Sequence, residues 1–193
     1  MTYTERAQAL LHEWVQSESL RMHCYAVGAS MRYFARQAGA DEDLWAAVGI
    51  LHDMDYERHP NLEHSPDAHP FVGVAYLREH GWGEEVCRAI LSHADYSGVS
   101  RDSQMEKTLA AVDELSGFVM AVARVKPGKS IAEVDVPSVR KKLKDKAFAR
   151  AVSREEITHN AAALGLPLDD LIAGVIAALG ADAERLGLAG AAA

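Results

Sequence analysis

Six side chains in this sequence have the chemistry to hold metal ions and stand where a soluble helix rarely places them: His23, His52, Asp53, His69, His93 and Asp113. The four histidines fall on apolar stripes. His23 shares a stripe with Leu20 and Val27, and His52 follows Leu44, Val48 and Leu51. His69 shares a face with Val72 and Tyr76, and His93 lies on the side of Val86 and Ile90. Asp113 sits in the run LAAVDELSGFVM, where a carboxylate is costly to bury unless it is paired or bound to a cation. Asp53 follows His52 where a helix gives way to a loop, so both side chains can turn to one point. A lone histidine on an apolar face is more often a core residue. Six such residues spread over five predicted helices point instead to a shared site. The other histidines, His12, His59, His64, His80 and His159, lie at helix ends, on polar faces or in a loop.

Imidazole and carboxylate together suit Fe, Mn, Co, Ni or Zn better than Mg or Ca alone. Cys24 and Cys87 are not spaced as ligands, which speaks against a structural zinc site. Four neutral imidazoles and two carboxylates carry a net charge of about −2, so two divalent ions would leave room for a hydroxide and an anionic substrate. Two-metal sites, with ions about 3.5–4 Å apart, stabilise both the attacking and the leaving oxygen in phosphoryl displacement.

Positioning these residues takes helices, and nearly every apolar pattern here has helical period. The spacing predicts helices over about Thr4–Glu18 and Leu20–Ala38, then a third capped by Asp41 and running to Leu51. A loop from Asp53 to Ala68 precedes a fourth helix, about His69–His80, and a fifth, Glu84–His93. After a second loop, Ser103 and Glu106 form a capping box opening a long helix to about Val125. Pro127-Gly128 breaks it, and a basic segment follows. Ser153 with Glu156 opens the next helix, a last one follows Pro167, and the tail AGAAA is expected to fray. The fold class is all-α, a single-domain helical bundle. Residues 1–126 form its metal-binding core, and residues 127–193 are a basic segment and helices packed on that core.

Composition bounds the rest. The chain has 193 residues, of which 49% are hydrophobic and 25% charged, enough for one globular domain with a real core. Its most apolar stretch, near Leu171–Ala181, falls short of the ~20 residues of a membrane span. The start MTYTERAQALLHEW lacks the pattern of a signal peptide, and two cysteines make no disulfide framework, so a cytoplasmic setting is expected. A net charge of −8 makes a nucleic-acid polymer a poor partner. Against that background, Lys126 to Arg150 holds eight basic and three acidic residues, either a solvated face or a patch that attracts phosphate. Arg32 also has the reach for a phosphate, although an exposed helix arginine is its ordinary reading.

In their order along the chain, the six residues resemble the HD-domain superfamily of metal-dependent phosphohydrolases. His23 stands in LRMHCYAV, the His52-Asp53 pair in GILHDMDYE and Asp113 in AVDELSGF, with His69 and His93 between. The resemblance covers Leu20 to about Val125. A lone His-Asp dipeptide is a weak sign, but the ordered set is specific. The chain looks closest to a branch of predicted HD hydrolases without an assigned substrate, where a basic Lys-Ser segment follows the core as KPGKSIAEV and SVRKKLKDKAF do here. The resemblance implies an HD-type bundle in which His23, His52, Asp53 and Asp113 are the minimal single-metal set. His69 and His93 match the added histidines of two-metal members, with Asp53 bridging. His64 competes with His69, which is preferred because Gly73 follows it by four residues as in the family pattern.

The implied activity is hydrolysis of a phosphoester, in a nucleotide or other small phosphorylated metabolite, by a metal-activated hydroxide. Its cofactor is a pair of divalent transition ions (Fe, Mn, Co or Ni, with Zn or Mg as alternatives). Asp95, in SHADYSG, is the candidate for proton transfer, with a plain turn residue as its alternative. Glu114 points about 100° away from Asp113 on an ideal helix and is left out. The chain departs from the family after the HD pair. Many members continue Ile-Gly-Lys, and this one has Met54-Asp55-Tyr56, so Asp55 or Tyr56 takes another role or substrate is held by Lys129, Lys142 or Lys146. Two other functions fit the same residues: a di-iron oxygenase, and an HD-type ligand-binding or signalling module without catalysis. A homodimer is left open.

Overall fold

The computed structural model describes residues 1–190. The first helix, α1 (Tyr3–Trp14), opens on a capping box made by Thr2 and Glu5. It ends four residues before the spacing predicts. Val15 is extended, and the amides of Gln16 and Ser17 donate to the Glu57 carboxylate at 2.7 and 3.1 Å. A distant side chain thus takes the hydrogen bonds that would have continued the helix. Ser17 instead caps α2 (Glu18–Ala38), which stops at Gly39 with φ 65. Asp41 caps α3 (Glu42–Leu51) by accepting from the amides of Asp43 and Leu44. The fourth helix, α4 (Phe71–Glu79), starts two residues later than the spacing predicts, with Pro70 at its N-cap. A residue preceding proline is disfavoured in a helix, so His69 stays in the loop.

Next come α5 (Glu84–His93) and α6 (Gln104–Arg124), the latter opened by the expected Ser103–Glu106 capping box. The basic segment folds into a short 3-10 turn at Ile131–Glu133 and α7 (Val136–Lys144). Ser153 caps α8 (Arg154–Leu164), and α9 (Leu168–Ala181) follows Pro167. Among the described residues no strand forms, and the class is all-α as expected. One isolated antiparallel bridge joins Ser130 to Ala189. The expected fraying of AGAAA therefore does not reach Ala189, and residues 191–193 lie outside the described residues.

Helix α6 runs through the middle and packs against α2, α5, α7, α8 and α9. Its Leu109, Leu115 and Phe118 join one continuous core that extends from Leu11 in α1 to Leu171 in α9 and on to Leu188. The closest crossing is between α2 and α3. A Cβ on Gly49 would lie 2.8 Å from the Cα and N of Gly28, so only glycine fits there. That crossing brings the α2 face carrying His23 against the end of α3. No single helix among the described residues is long and apolar enough to cross a membrane.

Candidate metal centre

The six residues meet from five places: His23 on α2, His52 and Asp53 at the end of α3, His69 in the loop before α4, His93 as the last residue of α5, and Asp113 midway along α6. They form two groups whose donor atoms lie within 4.8 Å of one another, His23–His52–Asp113 and Asp53–His69–His93. In the first group, Asp113 Oδ1 stands 3.0 Å from His23 Nε2 and 3.3 Å from His52 Nε2. In the second, Asp53 Oδ1 stands 3.2 Å from His69 Nε2 and 3.5 Å from His93 Nε2. The other oxygen of Asp53 turns back to the first group, 3.5 Å from His52 Nε2 and 3.7 Å from His23 Nε2. One carboxylate therefore faces both groups.

The outer ring nitrogens fix which way the imidazoles point. His52 Nδ1 donates to the Gly49 carbonyl at 2.7 Å, and His93 Nδ1 donates to the Ile90 carbonyl. His69 Nδ1 donates to Asp55 Oδ1 at 2.7 Å. With Nδ1 committed as a donor, each Nε2 turns inward as the free ligating atom. Two inward pairs come close, His23–His52 at 3.2 Å and His69–His93 at 3.3 Å between Nε2 atoms. Two lone pairs at that distance repel unless a proton or a cation lies between them. The donor set thus fits two divalent ions.

Without a metal, protons serve that purpose. Burial alone would lower the His52 pKa, but the carboxylates of Asp53 and Asp113 outweigh it and raise the value to about 10. Burial likewise opposes the His69 imidazolium, while Asp53 and Asp55 raise its pKa to about 9. Against their own desolvation, Asp53 and Asp113 are held well below the usual carboxylate range, first by His52. Both His52 and His69 therefore carry a proton at pH 7 in the metal-free chain and must lose it to ligate. Loading with Mn(II) at pH 7 is expected to release about two protons per chain, with affinity weakening as pH falls. Calorimetry in buffers of different ionisation enthalpy measures this release, and heats that do not depend on the buffer would exclude these imidazoles as ligands.

A family model of the HD domain matches residues 20–118, about half of the chain. The chain belongs to the HD-domain family. Most members of that family are hydrolases, and HD domains bind divalent metals. Here the HD pair is His52-Asp53, and the matched span holds all six residues. The chain matches none of the curated proteins and none of the solved structures.

Within this HD domain, Asp55 has a role the sequence left open. It is buried, and besides His69 it accepts from the Gly73 amide at 2.7 Å. A Cβ on Gly73 would stand 2.9 Å from Asp55 Cγ, so the glycine lets the carboxylate approach α4. Asp55 is a positioning residue for His69. In Asp55→Asn the new NH2 confronts the Gly73 N–H, and the affinity for an ion bound through His69 is expected to fall roughly 10–100-fold. A metal titration that loses one of its two steps checks this, since a merely structural lesion would weaken both.

Two further groups near the site escaped the sequence. The Tyr96 hydroxyl is buried without a hydrogen-bond partner among the described residues, and burial followed by the charges of Asp53 and Asp55 raises its pKa. Glu114 accepts from the Ser153 amide at 3.2 Å, and burial with Asp113 beside it pushes its pKa up to about 7. Helical spacing alone removes Glu114 from the site, because it cannot foresee the segment before α8 folding over this residue.

Other expected residues fall outside the two groups. Asp95 opens the 3-10 turn Asp95–Ser97, is 75% exposed and pairs with Arg101 at 2.5 Å, so its carboxylate is engaged there. Arg101 also donates to the carbonyls of Ser92 and His93 at 2.7 and 2.9 Å and to Asn160 Oδ1 at 3.1 Å. Asn160 in turn donates to the Ala110 carbonyl at 3.0 Å, which ties α8 to both α5 and α6. His64 is exposed and donates to the Tyr96 carbonyl at 3.2 Å. Lys129 neighbours Ser130, which is bridged to Ala189 past the end of α6. That end lies roughly 17 Å along the helix from Asp113, so Lys129 stands apart from the six. Lys142 lies over the Phe148 ring at 4.6 Å, and that ring packs edge-on against Phe118 of α6. Lys146 is exposed.

Proposed function

We propose that the protein is a metal-dependent phosphohydrolase acting on a nucleotide or other small phosphorylated metabolite. The observation that carries this reading is Asp53, one carboxylate turned to two histidine groups at 3.2–3.7 Å. His23, His52 and Asp113 would hold one ion, His69 and His93 the other, and Asp53 both. When bound, such ions supply hydroxide at neutral pH and positive charge for phosphoryl oxygens. The chain's own part is orientation. Gly49, Asp55 and Ile90 fix the imidazole rings before any ligand arrives. The Tyr96 hydroxyl has a hydrogen to offer a ligand oxygen. Lys142 and Lys146 would attract the phosphate. Two buried free cysteines, Cys24 and Cys87, fit a reducing cytoplasm.

The test loads the purified chain with Mn(II), Fe(II), Co(II) or Ni(II) and screens nucleotides and sugar phosphates for phosphate release. Turnover that needs metal and stops with EDTA is expected. On the substrate so found, Lys142→Ala is expected to raise KM about tenfold, the value of one charge-assisted contact, with kcat nearly unchanged. Full metal loading without hydrolysis of any phosphoester would overturn the reading, and oxygen uptake by the iron form would replace it with an oxygenase.

A further inference from the structure

Helices α2 and α3 also line a cavity away from the metal centre. Tyr25, Ala29, Arg32, Tyr33 and Arg36 of α2 line a cavity of about 260 Å³ together with Ile50 of α3. By helical geometry these positions lie roughly 80–180° round α2 from His23, centred on about 140°, and Ile50 and Ala46 are turned roughly 160° and 120° from His52. The α2–α3 layer therefore has the metal centre on one side and this cavity on the other. The far wall is the end of α9, with Ala178, and the turn after it, with Asp182 and Arg185. Small residues leave the hollow, since Ala46 and Ala178 form its buried floor.

Charge sets the cavity apart in a chain of net charge −8. Three guanidinium groups line it: Arg36 is closely paired with Glu42, Arg185 makes a long ion pair with Asp182 of the same wall, and Arg32 is unpaired among the described residues. Arg36 is held bidentate by Glu42 at 3.0 and 2.7 Å. Arg32 donates to the Thr4 hydroxyl at 2.9 Å and makes no ion pair among the described residues. Arg185 stands 3.9 Å from Asp182, beyond hydrogen-bond distance, with its guanidinium 5.3 Å from the Tyr25 ring. Planar guanidinium groups suit a phosphate, which they bind through paired N–H donors. The aromatic walls are held in place. The Tyr25 hydroxyl is hydrogen-bonded to His12 Nε2 at 2.6 Å, and Tyr33 packs edge-on to Phe34 at 5.2 Å. A cavity of about 260 Å³ is smaller than the ~300–1,000 Å³ of drug-sized ligand sites, so its occupant is small.

We propose that this cavity is a second binding site, for a small phosphorylated molecule whose phosphate lies between Arg32 and Arg185 and whose organic part rests on Tyr25, Tyr33 and Ile50. The site shares no residue with the metal centre, so it does not depend on the proposed hydrolysis.

The test is calorimetry on the full metal-loaded chain with three probes that the enzyme cannot hydrolyse: inorganic phosphate, methylphosphonate and phenylphosphonate. Phenylphosphonate is expected to bind at least tenfold more tightly than inorganic phosphate. Its affinity is expected to fall at least tenfold in Arg32→Ala and in Arg185→Ala, and to stay within twofold in Asp53→Asn. The two arginines lie on separate elements, so one variant remains readable if the loss of the Arg32–Thr4 bond loosens α1. Lack of saturable binding at millimolar phenylphosphonate would overturn the proposal. So would loss of binding in Asp53→Asn, which would assign the ligand to the metal centre. Equal affinities for inorganic phosphate and phenylphosphonate would overturn the organic half of the site.

Discussion

Asp53→Ala is expected to remove metal loading and turnover together and to leave the chain folded. Among the described residues no other carboxylate faces both groups: its two oxygens stand 3.2 and 3.5 Å from the nearest histidine nitrogen on either side. Without it, four imidazoles and Asp113 must hold two dications with a single negative charge. Elemental analysis should find fewer than one ion per chain. Phosphoester turnover should fall about a thousandfold or more, equivalent to some 4 kcal/mol of barrier. The fold should survive for an electrostatic reason. Asp53 is itself a main source of the raised pKa of His52 and His69, so its removal lets those rings become neutral rather than leaving them charged and buried. A variant that keeps both ions and normal kcat would show that Asp53 is no ligand.

Gly49→Ala is expected to cost about 3 kcal/mol of stability, at the upper end of what overpacking usually costs. The added methyl would meet the Gly28 backbone at 2.8 Å, and backbone atoms have no rotamer into which to retreat. For a chain of this length the melting temperature should drop by roughly 6–12 °C. Metal affinity should weaken as well, because separating α2 from α3 draws His23 away from His52. Gly180 is the control. A Cβ there meets nothing within 4 Å, so Gly180→Ala should be neutral or stabilising by roughly 0.5–1 kcal/mol. Equal melting temperatures for the Gly49 and Gly180 variants would refute the tight crossing.

The features legible in the sequence are those written in local pattern. Helical period gave the all-α class, and Ser103 with Glu106 gave the start of α6 to the residue. The six residues stood out because imidazole and carboxylate interrupt apolar stripes, and their convergence in space follows from those stripes facing one interior. What escaped depends on partners distant in the chain. The end of α1 is set by Glu57, some 40 residues on, and no window around Trp14 contains that information. Asp55 finds His69 and Gly73 across a loop whose path has no period. Asp95 sits close to His93 in sequence and invites a catalytic role, but Arg101 takes its carboxylate. Lys129 belongs to a basic run that is split between the turn after α6 and helix α7, so its members end in different places.

The tie from Arg101 through Asn160 to Ala110 has a consequence for where this protein could be cut. The stretch matching the HD family stops at residue 118, and a minimal version ending there is the natural choice for anyone seeking a smaller HD domain. Such a truncation would discard Asn160 and with it the cross-brace between the helices that present His93 and Asp113. It would also strip Leu171 and Ile172 from the apolar interior, uncovering surface that the remaining helices have no means to hide. The portion that carries the six residues is thus narrower than the portion that must be inherited to hold them in place.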